Sequence, residues 1–399
     1  MNIVAATELS YEKFNKYAGD LYPEVAYTLA YCRELAEMAY EIYHIAQERN
    51  LVIAAHYYQR PEIQELARAR GFVGDSLGIA LKARELTRNT ARPAKALWLC
   101  AVRFMGDTSK VVLGSGFPVY MPNHAGCSLV ASIHGIEFDH RRDTEKSIST
   151  RLLEPIGQHP VATWLEKNPG GIVLSYMNSD PQSKAMSWSV FTSRNACHVL
   201  KEAMVRNPGK RVLILPDTFL GDYMIAKALR EKSNEWFNPE LVETFPHEPV
   251  RGLCHVHAQK ISPLALDKAL RDHPDADVYI HPECGCAVDC FIRAESGGLG
   301  RRTKIGSTEE MIQFSKEPEA SHTILIATEI GHVYTVRDAV PDKIILPVAP
   351  EASCEFMKAT TMKSLYDALM SEDPSAYEVT LPPELITKAW KPIERMLSL

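Results

Sequence analysis

The feature that most constrains the fold is an internal repetition of short apolar segments, each ending in a ring side chain. These segments are residues 51–56, 171–176 and 277–281. Each unit continues with a segment that ends in small hydroxyl residues, a further apolar run, and a last run that leads to a cysteine. Short, uninterrupted apolar runs are typical of parallel strands that are buried on both faces.

The spacing within the units supports a true repeat. The chain takes 71, 78 and 73 residues to run from the ring residue to the closing cysteine, that is from His56 to Cys127, from Tyr176 to Cys254 and from His281 to Cys354. Alternation of strands and helices predicts an α/β fold. We expect three α/β/α domains related by a pseudo-threefold axis around a central cavity, each with a small parallel sheet of about four strands.

This pattern divides the chain into five segments. Apolar residues at helical spacing predict a helical extension over residues 1–49. The three α/β repeats are expected at 50–133, 134–258 and 259–358. Residues 359–399 are expected to form helices that pack back on the body.

Three equivalent strand ends are expected to meet at one cavity, because ligands bind at the carboxyl ends of parallel strands. The residues predicted to converge there are His56, Tyr58, Tyr176, Asn178, His281 and Glu283. In this setting Glu283 is a candidate general base, and His281 a carboxylate ligand or proton donor. The alternative for this pair is a local hydrogen bond at a strand end.

Small hydroxyl residues open a helix in each unit. Ser76, Ser193 and Thr308 are expected at helix N-termini, where backbone N–H groups and the helix dipole favour phosphate or carboxylate. Three such sites around one cavity would suit a substrate with several negative groups. The alternative for any one of them is an ordinary N-cap.

Two groups of cysteines compete as a metal site. Cys284, Cys286 and Cys290 are close in sequence, whereas Cys127, Cys254 and Cys354 come from three distant loops. An iron–sulfur cubane needs no local spacing, and with three thiolates it keeps one open iron that can act as a Lewis acid. The alternative is three buried thiols without metal. We expect the local group, in a lengthened loop, to serve in packing or as a redox-sensitive pair.

Composition narrows the possible partners and the compartment. The net charge of −6 gives no reason to expect nucleic acid. No apolar run is long enough for a membrane span, and the N-terminus has no apolar signal region. Nine cysteines at scattered spacings fit a reducing cytoplasm better than a disulfide framework.

An ordered set of short motifs resembles the quinolinate synthases. The set runs from about residue 50 to about residue 360, and its order is more specific than any single member. The matching segments are residues 55–64 (AHYYQRPEIQ), 74–77 (GDSL), 102–108 (VRFMGDT), 127–129 (CSL), 176–178 (YMN), 192–193 (TS), 215–221 (LPDTFLG), 254–257 (CHVH), 281–284 (HPEC), 306–308 (GST), 327–329 (ATE) and 354–358 (CEFMK).

The resemblance implies three α/β/α domains around an oxygen-sensitive [4Fe-4S] cluster. It implies condensation of iminoaspartate with dihydroxyacetone phosphate to quinolinate, with release of phosphate and water, in de novo NAD synthesis. L-aspartate oxidase would be a supplier of iminoaspartate.

The same resemblance assigns roles to residues of this chain. The implied cluster ligands are Cys127, Cys254 and Cys354. Tyr58 and Glu283 are the implied proton-transfer pair, with His56 as a further catalytic residue. The implied substrate contacts are His56, Ser76, Tyr176, Asn178, Ser193, His281, Glu283, Ser307 and Thr308.

The chain departs from the family pattern in three places. The segments between Glu283 and Gly306 and between His134 and Pro169 look extended, and Asp107 stands where a glutamate is expected. We expect these departures to affect the lid of the cavity and not the chemistry.

Two other classes of function stay open on the sequence. A zinc deaminase would use His281 and Glu283, although the Pro-Cys-x-x-Cys half of its signature is missing. A non-catalytic binder of phosphorylated metabolites would need the anion sites but not Glu283 or the three distant cysteines.

Overall fold

Three four-stranded parallel sheets form the frame of the protein. The structure is a computed structural model, and it describes residues 3–88, 93–139, 142–152, 157–245, 252–297 and 303–399. The strands are β1 (Leu51–His56), β2 (Gly71–Gly74), β3 (Ala96–Cys100), β4 (Val119–Tyr120), β5 (Ile172–Tyr176), β6 (Ser189–Phe191), β7 (Val212–Leu215), β8 (Val242–Thr244), β9 (Asp277–Ile280), β10 (Thr303–Ile305), β11 (Thr323–Ala327) and β12 (Ile344–Pro347).

The three sheets share one topology. Their strand orders are β2-β1-β3-β4, β6-β5-β7-β8 and β10-β9-β11-β12, so the first strand of each unit lies inside its sheet between the second and the third. Neighbouring strands pair in parallel in all three sheets. The same order repeated three times confirms the predicted fold of three α/β/α domains.

Helices cover the sheets. Before the first sheet lie α1 (Ile3–Ala18) and α2 (Leu29–Glu48). The first unit has α3 (Pro61–Arg70), α4 (Ser76–Thr87), α5 (Arg103–Leu113) and α6 (Ser128–Ile133). The second has α7 (Glu145–Arg151), α8 (Pro160–Lys167), α9 (Pro181–Ala185), α10 (Ala196–Arg206) and α11 (Thr218–Arg230).

The third unit and the C-terminal segment complete the set. They contain α12 (Pro263–Asp272), α13 (Ala287–Glu295), α14 (Thr308–Lys316), α15 (Ile330–Ala339), α16 (Glu355–Lys358), α17 (Met362–Met370) and α18 (Pro383–Ser398). A π-helical turn spans His255–Lys260, and 3-10 turns span Pro239–Leu241 and Pro374–Tyr377. No helix in the described ranges is both long and apolar enough to cross a membrane.

The central strands explain why the apolar runs are unbroken. Every residue of β5 and β9 is buried, because helices pack on both faces of these sheets. The first polar side chains come where the strands end, and there they face a cavity. The unbroken apolar runs therefore mark the strands, and the polar residues that follow them are the ones that reach the cavity.

The two ends of the chain are helical, as predicted. The segment before residue 50 forms α1 and α2, and the last segment forms α17 and α18. Ala389 and Ile393 of α18 are buried in the core of the second sheet. The five segment boundaries stay predictions, although none of them cuts a strand.

One local prediction was wrong. We expected a lengthened loop around Cys284, Cys286 and Cys290, but helix α13 begins directly after Cys286 and contains Cys290. Val288 and Phe291 pack against the core of the second sheet, and this contact stabilises a helix there. Residues 298–302 of the same extended segment lie outside the described residues.

Candidate functional site

The carboxyl ends of β1, β5 and β9 open onto one cavity. Twelve of the thirteen residues singled out from the sequence line it. They are His56, Tyr58, Ser76, Cys127, Tyr176, Asn178, Ser193, Cys254, His281, Glu283, Thr308 and Cys354. The repeats thus place side chains that are far apart in sequence around one space.

Ser307 is the residue that the structure does not bring to this cavity. It is the N-cap of α14, and its hydroxyl and backbone N–H both lie 2.8 Å from a carboxylate oxygen of Glu310. This capping box uses the hydroxyl in the start of the helix. Thr308, the next residue, lines the cavity instead.

Two strand-end imidazoles present the same nitrogen to the cavity. Nδ1 of His56 accepts the backbone N–H of Tyr58 at 3.1 Å, and Nδ1 of His281 accepts that of Glu283 at 3.5 Å. Burial lowers the pKa of His56 to about 3 and that of His281 to about 4. Both rings are therefore neutral near pH 7 and carry their proton on Nε2, from which it can be donated to an anionic oxygen.

Glu283 lies at the centre of a buried polar network. Its Oε1 accepts from Nδ2 of Asn178 at 3.2 Å, and its Oε2 lies 2.8 Å from Nδ1 of His257. Burial opposes ionisation, but the imidazoles of His257 and His281 outweigh it and lower the pKa of Glu283 to about 2. Tyr176 also donates to this carboxylate. Glu283 is an ionised acceptor that is held from several sides.

Tyr58 is connected to Glu283 through His257. The Tyr58 hydroxyl lies 3.3 Å from Nε2 of His257 and 2.7 Å from Oγ1 of Thr328, and that threonine lies 3.1 Å from the same Nε2. Burial and the negative charge of Glu283 raise the pKa of Tyr58 well above its ordinary value. The phenol is therefore a neutral proton donor near pH 7.

His257 and Thr328 were not predicted as site residues. His257 is the third residue after Cys254, and Thr328 directly follows β11. Both lay within motifs matched to the family, and Thr328 also occupies a strand end. Position at a strand end was the signal that could have found Thr328.

Two of the three predicted helix N-termini are found as expected. Ser76 is the first residue of α4 and donates to Oδ1 of Asn178 at 3.0 Å, and Thr308 is the first residue of α14. Ser193 lines the cavity from the turn before α10, whose N-cap is Asn195. The helix starts later because the Asn195 side chain accepts the backbone N–H of Thr192 and closes that turn.

Cys127, Cys254 and Cys354, here called the cavity cysteines, share one local environment. Each is the N-cap residue of a short helical turn. Burial raises the pKa of Cys127 to about 11 and also raises the pKa of Cys254 and Cys354. Backbone N–H groups at the start of each turn donate to the sulfur and act in the opposite direction.

This donor set fits an iron–sulfur cluster. Three thiols from loops of three repeats line one cavity, and each sulfur already accepts a backbone N–H, as cluster sulfurs do. A single metal ion is a second possibility, because Cys254, His257 and Glu283 each offer a ligand atom within 4.8 Å of the others. Cys254 belongs to both sets.

The loop of Cys354 is tied to the loop of Tyr58 by a buried ion pair. Glu329 accepts the backbone N–H of Cys354 at 2.9 Å, and Lys358 lies 2.8 Å from the same carboxylate oxygen. Lys358 also donates to the backbone carbonyl of Tyr58. One ion pair thus sets the position of a cavity cysteine relative to the buried phenol.

Cys284, Cys286 and Cys290, here called the buried cysteines, do not line the cavity. All three side chains are fully buried, and the thiol of Cys286 makes hydrogen bonds with both of the others. Cys284 donates to the backbone carbonyl of Ala327 at 3.2 Å. These thiols are used in packing behind the cavity wall.

A second histidine–carboxylate group joins His134 and His159, from the extended segment after residue 133, to Asp180. Nε2 of His134 and Nε2 of His159 lie 3.3 and 3.5 Å from the two oxygens of Asp180. Asp180 also caps α9, and Nδ1 of His159 accepts the backbone N–H of Val161. His159 therefore carries its proton on Nε2, which suits a hydrogen bond to Asp180 and not a metal.

Asp107, the departure from the expected glutamate, does not reach the cavity. Its carboxylate accepts from Nε of Arg103 at 2.9 Å in a neighbouring cleft. The shorter side chain therefore does not alter the lining of the cavity.

Comparison with known proteins decides the family. A family model described as quinolinate synthetase A protein matches residues 40–398. The chain belongs to the quinolinate synthetase A family. The quinolinate synthase of Thermus thermophilus is 33% identical over 362 residues, which cover 90% of this chain and 97% of that protein.

Two further quinolinate synthases show the breadth of the family. The protein from Pyrobaculum aerophilum is 32% identical over 357 residues, or 89% of this chain and 97% of the relative. The protein from Mycobacterium tuberculosis is 31% identical over 367 residues, or 90% and 88%. As a member of the quinolinate synthetase A family, the chain is an enzyme, and this rules out the non-catalytic binder. The family also decides against the zinc deaminase.

Proposed function

We propose that the chain is a quinolinate synthase that condenses iminoaspartate with dihydroxyacetone phosphate, releasing phosphate and water. The observation that carries the proposal is the convergence of three cysteines and one buried carboxylate, Glu283, on a single cavity. Membership of the quinolinate synthetase A family supports it.

In this proposal the cavity cysteines hold a [4Fe-4S] cluster. When bound, the cluster supplies a Lewis acid, because the iron that lacks a protein thiolate can polarise a substrate oxygen. Thiols with raised pKa values bind metal only after losing a proton, so cluster binding would release protons and stabilise these loops. The apolar side chains of Phe104, Met105 and Phe356 line the same cavity and limit access of water.

The imidazoles and helix N-termini would bind the negative groups of the substrates. Iminoaspartate carries two carboxylates, and dihydroxyacetone phosphate carries a phosphate. The neutral Nε2–H groups of His56 and His281 can donate to these oxygens without adding a buried charge. The positive ends of α4 and α14 attract the same groups, and Thr308 adds a hydroxyl donor, whereas the Ser76 hydroxyl donates to Asn178.

Glu283 and Tyr58 would move protons in opposite directions. The ionised carboxylate of Glu283 accepts a proton from substrate carbon or nitrogen, and the hydrogen bonds from Asn178 and His257 hold its two oxygens in place. Tyr58, kept neutral by burial, donates a proton to a leaving oxygen. His257 lies between them and can return the proton.

The chemistry places the reaction after a step that makes an imine of aspartate. Iminoaspartate hydrolyses in water, so an oxidase such as L-aspartate oxidase would supply it in the same compartment. We propose that this compartment is the cytoplasm and that quinolinate leaves for NAD synthesis.

The test is an anaerobic assay with both substrates. Protein purified and reconstituted without oxygen should form quinolinate and release one phosphate for each product molecule. Glu283→Gln should keep its iron and lose activity by about 100-fold or more. Iron-loaded protein that consumes neither substrate would contradict the proposal, as would full activity with one zinc and no iron.

A further inference from the structure

A chain of hydrogen bonds joins the three residues that directly follow the cavity cysteines. These are Ser128, His255 and Glu355. Ser128 Oγ lies 2.8 Å from Nδ1 of His255, and Nε2 of His255 lies 2.6 Å from Oε2 of Glu355. The loops that carry the cysteines are therefore linked to one another without any contact through the sulfurs.

The direction of the hydrogen bonds follows from the carboxylate. A carboxylate oxygen only accepts, so Nε2 of His255 carries the proton and Nδ1 accepts from the Ser128 hydroxyl. The backbone N–H of His255 lies 3.4 Å from the same hydroxyl oxygen. Ser128 thus both donates to and accepts from His255. Every polar side-chain atom of Ser128, His255 and Glu355 therefore has a partner.

A lysine adds a second contact between the turn after Cys254 and the loop of Cys354. Lys260 lies at the far end of the π-helical turn that begins at His255. Its Nζ lies 2.7 Å from Oε1 of Glu355 and 2.7 Å from the backbone carbonyl of Ser353. The first and last residues of the turn after Cys254, His255 and Lys260, therefore both contact the loop of Cys354. Turns of this type recur at functional sites.

The link is buried between Ser128 and His255, whereas the Glu355 side chain at its other end is 45% exposed. Ser128 and His255 are 4% and 1% exposed. The rings of Phe138 and Phe356 meet the imidazole edge-on, with centroids at 4.7 and 5.6 Å. A buried hydrogen bond that loses one partner leaves the other without water to replace it, so these contacts fix one arrangement of the loops.

We propose that Ser128, His255 and Glu355 form a clasp that holds the three cavity cysteines in the geometry needed to retain an iron–sulfur cluster. This inference rests on the proposed function, because it takes these cysteines as cluster ligands. The clasp residues are positioning residues: they act through the cysteine loops. Their loss should speed the release of the cluster more than it slows turnover of enzyme that still carries one.

The test measures how fast iron leaves the anaerobically reconstituted full chain after a chelator is added. His255→Phe keeps the ring packing and removes both hydrogen bonds, so it should lose iron about 10-fold faster than the wild type. Ser128→Ala should show a smaller increase, and Ser128→Thr and Glu355→Gln should restore most of the wild-type rate. Glu351→Ala, at an exposed glutamate near the same loop, is the matched control and should match the wild type.

The outcomes separate the clasp from the ligand assignment. Wild-type rates of iron loss in both His255→Phe and Ser128→Ala would overturn the clasp alone. A wild type that binds no iron would overturn the ligand assignment and the clasp with it. If His255→Phe does not fold, Ser128→Ala still decides, because it removes a single hydroxyl. In the double variant the two effects should not multiply, since both break one linked unit.

Discussion

Two groups of three cysteines show how differently sequence and fold bring side chains together. The buried cysteines fall within seven residues of one another, yet they lie behind the cavity wall, where the Cys286 thiol is hydrogen-bonded to the other two. The cavity cysteines are separated by about a hundred residues or more, yet they line one space. Equivalent loops of a threefold repeat converge, whereas neighbours in sequence share only a local turn.

The comparison also separates two chemical environments. Each cavity cysteine starts a helical turn, and its sulfur accepts backbone N–H groups. In the buried group Cys286 makes hydrogen bonds with two thiols, and Cys284 donates a hydrogen bond to a carbonyl. These sulfurs therefore already have protein partners. The cavity cysteines differ in that they face an open space that a metal centre could occupy.

The largest expected difference between the two cysteine groups is in enzyme activity. Cys127→Ser should lower the rate of quinolinate formation by about three orders of magnitude, because metal stabilisation of substrate charge is worth several kcal/mol. Cys290→Ser is the matched change in the buried group, and it should keep the rate within about threefold. Steady-state assays under nitrogen measure both, and equal losses would erase the distinction.

Glu283 separates the two environments within one step of the sequence, because it directly precedes Cys284 and yet lines the cavity. Glu283→Gln should lower kcat by about 100-fold or more while the iron content stays at the wild-type level. The control is Glu295→Gln, on the exposed surface of α13. A loss of iron in the first variant would instead make Glu283 part of the metal site with Cys254 and His257.

Thiol labelling tests the difference in access directly. In protein stripped of iron, an alkylating reagent should modify the cavity cysteines at least about 10-fold faster than the fully buried ones. Burial raises the pKa of Cys127 to about 11, so its labelling rate should rise about tenfold for each pH unit from 7 to 10. Mass spectrometry of digests gives the rates by residue, and faster labelling of Cys286 would contradict the account.

The smallest expected effect is on stability, where the buried cysteines should matter more than the cavity cysteines. Cys290→Ala removes a fully buried sulfur and should lower the free energy of unfolding of iron-free protein by about 1 to 2 kcal/mol. Cys127→Ala, at a partly exposed position, should cost less. Denaturant titrations of the iron-free proteins provide the comparison, and a larger loss for Cys127→Ala would reverse it.

The sequence was enough for the sheets and for about half of the residues that line the cavity. Unbroken apolar runs mark β1, β5 and β9, and the first polar residues after them must lie at the strand ends. This local relation explains why the sequence alone predicts His56, Asn178 and Glu283 as site residues.

Contacts between repeats were beyond the reach of the pattern. His257 joins Glu283 to Tyr58 across three separate loops, and its role depends on how the domains pack. Ser307 looked like a site residue, but the nearby Glu310 draws it into a capping box. Helix α13 replaced an expected loop because its apolar face meets the core of another sheet, which short-range spacing does not reveal.

The central claim is that the repeats, and not the local cysteine cluster, build the metal centre. Counting iron and sulfide in anaerobically reconstituted protein tests it most directly. We expect about four irons per chain in the wild type and in Cys286→Ser, and almost none in Cys127→Ser, Cys254→Ser or Cys354→Ser. Iron lost from Cys286→Ser and kept in the three cavity variants would contradict the account.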